Sequence, residues 1–247
     1  MADTKILKGK VAVITGAGRG IGQAIAIGYA RAGAAVCCAA RGQAQLVDTV
    51  RQIEAVGGRA LAVPCDVTDL QSVKNVFEQA VRAFGGVDLV VASAGSSNEN
   101  KSVQASDPMI WRETINTNLV GTFHTAHVAV EYLEQRGGGH IITLGSGMGH
   151  RAAPTRSAYA ASKAGLWMLT RILAQELAPL DICVNELVPG PVLTDFIKGR
   201  EDQLRAIAAG GEWMKEPDDV VPLALFIASQ PVKGPTGQTF SLARREL

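Results

Sequence analysis

Tyr159 and Lys163 stand four residues apart in Tyr159-Ala160-Ala161-Ser162-Lys163, and Ser146 lies thirteen residues upstream. On a helix that spacing puts a phenol and an ammonium on one face, about one turn apart. A cation so placed favours the phenolate and draws the tyrosine pKa from about 10 toward the working pH. A phenol of that kind can give a proton to a carbonyl oxygen or take one from an alcohol. The spacing alone also fits a solvated lysine over a half-buried tyrosine, so the rest of the chain must decide.

A second group of residues could hold an anion. Val11–Ile14 is a short apolar run, Thr15-Gly16-Ala17-Gly18-Arg19-Gly20-Ile21-Gly22 is a glycine-rich turn, and Gln23–Ala32 shows helical apolar spacing. Strand, glycine turn and helix N-terminus together let backbone N–H groups and the helix dipole meet a pyrophosphate. A sharp structural loop would read similarly in isolation. At the head of an alternating strand–helix chain, the turn is expected to bind a dinucleotide.

The elements that must position these groups are legible in outline. Apolar runs at Ala35–Ala39, Ala60–Val63, Asp88–Ala92, His140–Leu144, Ile182–Leu187 and Gln238–Leu242 read as strands. Between them, helical patterns cover Gln43–Val56, Gln71–Phe84, Trp111–Gln135 and Ser157–Ala178, and Pro217-Asp218-Asp219 opens another helix. Strands alternating with helices predict a single-domain, doubly wound Rossmann-type α/β fold: about seven parallel strands with helices on both faces. Ligands on such sheets gather outside the carboxyl ends of the strands, where Gly16, Gly95, Ser146 and Gly190 all fall.

Composition narrows the class. The chain has 247 residues, 47% hydrophobic and 19% charged, which suits one α/β domain with a large core. A net charge of +1 gives no long-range attraction to nucleic acid or to an anionic membrane. No apolar run approaches the roughly eighteen residues of a membrane span, and Met1–Lys10 lacks the core of a signal peptide. A cytoplasmic protein is expected. Cys37, Cys38, Cys65 and Cys183 read as small buried hydrophobes in a reducing compartment. His124 and His127 share a helix face but lack a third ligand, so no metal site is expected.

In their order and spacing the motifs resemble the short-chain dehydrogenase/reductase family over nearly the whole chain: Thr15-Gly-x-x-x-Gly-x-Gly22, Asp66-Val67, Ala94-Gly95, Asn118, Ser146, Tyr159-x-x-x-Lys163, and Pro189-Gly190 followed by Val192 and Thr194. The resemblance implies that Tyr159 is the general acid and base and that Ser146 hydrogen-bonds the reacting oxygen. It also implies that Lys163 grips the nicotinamide ribose and that Asn118 holds a water linking this lysine to solvent. Read from its own neighbours, Asn118 is a polar amide within the run Ile115–Phe123 and needs partners. The resemblance further puts Thr15, Gly16, Arg19, Gly20, Ile21, Gly22, Ala94, Gly95, Pro189, Gly190, Val192 and Thr194 against the dinucleotide. Asp66 and Val67 are expected to flank its adenine.

Coenzyme choice follows from charge. NAD-preferring relatives carry an acid where this chain has Ala40, followed by Arg41, and Arg19 can point to the same place. Two guanidiniums and no carboxylate suit a 2′-phosphate, so NADP(H) is expected over NAD(H). Three departures from the family pattern stand out: Ser93 replaces the usual Asn before Ala-Gly, the tail lacks Asp/Asn-Gly-Gly, and Leu180 stands where carrier-protein reductases often have a basic residue, although Arg136 and Arg171 are near. Specificity is expected from Ser96–Lys101, Gly147–Arg156 and a lid over about 192–214. Met148, Leu187, Phe196, Ile197, Trp213 and Met214 could form an apolar wall, with His150, Arg151 and Arg156 reading a polar substituent.

The expected function is an NADPH-dependent oxidoreductase interconverting a small ketone or aldehyde and an alcohol. The family resemblance adds a homo-oligomer, tetramer or dimer. A 3-oxoacyl thioester reductase and a non-enzymatic dinucleotide-binding sensor are the alternatives. Descent to a sensor usually loses a member of the acid–base set, and all four are present here.

Overall fold

Seven parallel strands form one sheet in the order β3-β2-β1-β4-β5-β6-β7. The computed structural model describes residues 5–195 and 211–244. The strands are β1 (Val11–Thr15), β2 (Ala35–Ala40), β3 (Arg59–Pro64), β4 (Leu89–Ala92), β5 (Gly139–Leu144), β6 (Ile182–Val188) and β7 (Thr239–Ser241). Helices α1 (Gly20–Arg31), α2 (Gln43–Ala55), α3 (Leu70–Phe84), α4 (Pro108–Ile115), α5 (Gly121–Gln135), α6 (Ser157–Leu177) and α7 (Val221–Ala228) cover it.

Alternate residues of each strand feed opposite faces, which is why buried strands read as unbroken apolar runs. Ala12 and Ile14 join Ile25, Tyr29, Leu46 and Ala224 in a core beneath α1, α2 and α7. Val13 joins Phe77, Ala126, Leu133 and Leu173 in a second core beneath α3, α5 and α6. The Tyr29 hydroxyl donates to the Ala224 carbonyl at 2.9 Å and ties α1 to α7. All four cysteines are free and buried, and burial pushes the thiols of Cys37 and Cys38 up.

Strand order reverses between β1 and β4, whose ends are level, with Thr15 opposite Ala92. The loops after these two strands must part there and leave a crevice. The Thr15 hydroxyl reaches the Val91 carbonyl at 3.5 Å, and the Ala94 N–H reaches Thr15 Oγ1 at 3.4 Å. These contacts hold the two loops at a fixed separation.

One expectation is corrected here. Trp111–Gln135 is not one uniform helix: Asn116–Val120 forms a π-helical turn between α4 and α5. Such turns insert an extra residue and are frequent at functional sites. Asn118 is at its centre. Among the described residues no helix is long and apolar enough to cross a membrane.

Candidate active site

A cleft of about 410 Å³ opens at the carboxyl ends of the strands, within the range of small-molecule sites. One end is built by the glycine turn. Gly16 has a φ of +70°, and a Cβ there would lie 2.8 Å from the Ala94 nitrogen. At Gly22 a Cβ would run into the Gly16 carbonyl. The turn is therefore packed too tightly for side chains and presents backbone. α1 begins at Gly20 with no side-chain cap, so its first N–H groups are left to an anion, and no acidic residue stands in that first turn. This donor set fits the pyrophosphate of a dinucleotide.

Gly18, Arg19, Ala40, Arg41, Asp66 and Val67 line the same end. Arg19 Nη1 lies 3.7 Å from Asp195 Oδ2, with both side chains largely exposed. Burial alone would raise the Asp66 carboxyl, but hydrogen bonds from the Thr68 N–H and hydroxyl and the nearby Arg41 charge outweigh it and hold it low. It is thus kept as an acceptor. Ser93, which replaces the family's Asn, has its hydroxyl against Gly22, where a Cβ would come within 3.1 Å.

Leu144, Ser146, Tyr159 and Lys163 line the other end. β5 ends at Leu144, and Ser146 caps the short turn Gly147–Gly149, its Oγ accepting from the Met148 N–H at 3.2 Å. α6 carries Tyr159 in its first turn and Lys163 one turn later. Lys163 is 5% exposed, its ammonium donates to the Leu144 carbonyl at 2.7 Å, and Nζ lies 5.7 Å from the Tyr159 ring centre. Burial pushes this ammonium down from 10.5 to about 8, with the Glu186 carboxylate acting in the opposite direction. A buried cation one turn from a cleft-lining phenol is suited to moving protons near neutral pH.

Asn118 is fully buried and grips three groups. Its Oδ1 accepts from the Ser96 N–H at 2.7 Å, while its Nδ2 donates to the Ser96 carbonyl and the Ser162 hydroxyl, each at 2.9 Å. The amide thus locks the loop after β4 onto α6 at the residue preceding Lys163. The Asn118 carbonyl accepts from the Thr122 hydroxyl at 2.9 Å.

A family model described as short chain dehydrogenase matches residues 10–205. The chain belongs to the short-chain dehydrogenase family. Members of this family are oxidoreductases that bind a nicotinamide dinucleotide. A 3-oxoacyl-[acyl-carrier-protein] reductase FabG from Thermotoga maritima is 33% identical, over 96% of this chain and 97% of its own length. A 7alpha-hydroxysteroid dehydrogenase from Escherichia coli K12 is 31% identical, over 98% and 96% respectively. A crystal structure described as a "putative NAD(P) dependent gluconate 5-dehydrogenase" from Beutenbergia cavernae, with NADP bound at low occupancy, superposes with a TM-score of 0.88 at 34% identity, covering 96% of each chain.

In this short-chain dehydrogenase the cleft gathers most of the residues read from the sequence: Gly16, Arg19, Gly20, Ile21, Gly22, Arg41, Asp66, Val67, Ala94, Gly95, Ser146, Met148, Tyr159, Lys163, Pro189, Gly190, Val192 and Thr194. Thr15 and Asn118 lie beneath it as supports. His150 is a correction: its Nε2 turns to Glu186 Oε2 at 3.3 Å and its ring packs against Trp167, away from the cleft lining. Leu187 is another, a fully buried member of the core under α1. Phe196 and Ile197 lie outside the described residues.

The sequence reading missed Gln45, Cys65, Thr117 and Ala243, all of which line the cleft, while Glu212, which also lines it, falls within the expected lid. Ala243 brings the altered tail to this site, where the Arg244 N–H donates to Glu212 Oε2 at 3.1 Å. The two arginines near Leu180 are engaged elsewhere: Arg136 pairs with Asp88 at 3.1 Å, and Arg171 donates to the Thr239 hydroxyl at 3.1 Å.

Proposed function

We propose that this chain is an NADPH-dependent oxidoreductase interconverting a ketone or aldehyde and an alcohol. The observation that carries the reading is the buried Lys163 ammonium beside a cleft lined by both Tyr159 and Ser146. When bound, the dinucleotide supplies or accepts a hydride at its nicotinamide ring. Ser146 and Tyr159 donate hydrogen bonds to the carbonyl oxygen, whose negative charge grows during reduction, so both bonds strengthen in the transition state. Tyr159 gives its proton to that oxygen in reduction and takes one from the alcohol in oxidation. Lys163 makes the phenol acidic enough for either, and Asn118 holds α6 in register for it. Arg19 and Arg41 favour the 2′-phosphate, because the exposed Arg19–Asp195 contact is loose enough for a phosphate to displace.

The identity with a carrier-protein reductase supports a second reading, a 3-oxoacyl thioester reductase. Rates on carrier-linked and free ketones separate the two. Exposed Met109, Trp111, Phe123, Met168 and Ile172 on α4, α5 and α6 support a homo-oligomer. The test of the main reading is Tyr159→Phe, assayed on a ketone and alcohol panel with each coenzyme. Turnover should fall by about 10²- to 10⁴-fold while NADPH affinity changes little. Undiminished turnover would remove the role given to Tyr159.

A further inference from the structure

β6 is buried at all seven positions, yet it contains Glu186, which is wholly inaccessible to solvent. A strand covered on both faces normally carries apolar residues, and an ionisable group there needs a partner. Glu186 Oε2 accepts from the Thr239 hydroxyl at 2.7 Å and lies 3.3 Å from His150 Nε2. Oε1 has no hydrogen-bond partner. It lies over Gly145, where a Cβ would collide with it. Gly145, Ser146 and Lys163 all line the cleft, so a buried carboxylate sits directly beneath the cleft floor.

Among the described residues, α6, the turn after β5 and β7 bring charged or polar groups toward this carboxylate. α6 contributes Lys163, whose ammonium sits on the carbonyl of Leu144, the residue after Thr143, which is the β5 partner of Glu186, and Arg171, which donates to the Thr239 hydroxyl and the Trp167 carbonyl and stacks on the Trp167 ring at 4.2 Å. The turn after β5 contributes His150, and β7 contributes the neutral Thr239. Tyr159, on the first turn of α6, is a further titratable group beside Lys163, its ring centre 5.7 Å from Nζ.

We propose that Glu186 is a positioning residue whose carboxylate, held by the Thr239 hydroxyl, keeps the Lys163 ammonium charged in its buried site and so sets the pH range over which Tyr159 exchanges protons. The proposal rests on the function proposed above, and it gives that reaction a residue outside the acid–base set. Burial works against the ammonium and Glu186 works for it, which leaves Lys163 at about 8. Removing a neighbouring negative charge lets protons leave at lower pH. The Tyr159 ring lies 5.7 Å from this ammonium, so a change in the charge on Lys163 changes the field at the phenol.

The test compares the full-length protein with Glu186→Gln, which keeps the side-chain size and removes the charge. The Lys163 titration is followed by 13C NMR of lysine labelled at Cε, without added dinucleotide, its signal assigned with Lys163→Arg. The variant should titrate lower by roughly half to one pH unit. The alkaline fall of kcat/KM for ketone reduction should move the same way. An unmoved or raised Lys163 titration overturns the proposal, including the case where only thermal stability changes. If Glu186→Gln does not fold, Glu186→Asp withdraws the charge by one methylene and should move Lys163 in the same direction by less; no movement again overturns it. The NMR arm decides the matter even if no substrate turns over, so failure of the enzymatic reading is told apart from failure of this one.

Discussion

Replacing Lys163 by Met should make the protein stripped of dinucleotide more stable while removing its activity. The wild-type ammonium is held at about 8 in the folded chain against an ordinary 10.5. At about 1.4 kcal/mol per pH unit, keeping that charge in the folded state near neutral pH costs about 3 kcal/mol. Methionine forfeits the hydrogen bond to the Leu144 carbonyl, worth about 1 kcal/mol. The net gain is about 2 kcal/mol, or about 4–8 °C in Tm for a chain of this size. The sign with pH is definite. The folded pKa lies below the unfolded one, so the neutral lysine contributes stability that is complete above 10.5 and lost as pH falls through the interval to about 8. Wild type should therefore gain stability across that interval, and Lys163→Met should lack this rise. Denaturant unfolding at equal protein concentration, near pH 7 and near pH 10, measures both terms. A variant less stable than wild type near neutrality, or one with the same rise, would refute the electrostatic cost assigned to Lys163.

Other expectations follow from the same site. Ser146→Ala should lower kcat by about 10²- to 10³-fold through loss of a donor to the reacting oxygen, with KM for the coenzyme little changed; steady-state kinetics decide it. Arg41→Ala should weaken NADPH by about 10- to 100-fold and NADH far less, as read by fluorescence titration, and equal losses would undo the 2′-phosphate argument. Gly22→Ala should abolish dinucleotide binding or folding, because its Cβ would meet the Gly16 carbonyl; calorimetry showing normal affinity would disprove the packing constraint. Asn118→Ala should cost about 2–3 kcal/mol and slow turnover together, since it frees the Ser96 loop from α6.

The fold was legible wherever a residue's neighbours along the chain determine its environment. The apolar runs that became β1, β2 and β6 are buried on both faces, so their composition carries the signal directly. The π-turn at Asn116–Val120 was not legible, because one extra residue barely disturbs helical spacing over twenty-odd positions. The acid–base residues could be read because Tyr159 and Lys163 share a helix and their relation is local. His150 could not: whether its ring faces the cleft or the sheet depends on Glu186, thirty-six positions away in the chain. A signal for Glu186 was present in the sequence, as the lone acid within Ile182–Leu187. A charge in a doubly covered strand must answer to something distant, and that partner cannot be read from the run itself.

Gly145 and Glu186 occupy what is in effect a single site, since the carboxylate fills the space that any side chain at 145 would need. Substitution can therefore proceed in one sequence of steps only. Glu186 must shrink before Gly145 can grow, and the reverse path passes through a clashing intermediate. Among descendants of this chain, a larger residue at 145 should be found only beside a smaller one at 186, and a library varying both positions at once would reveal that asymmetry as an empty quadrant.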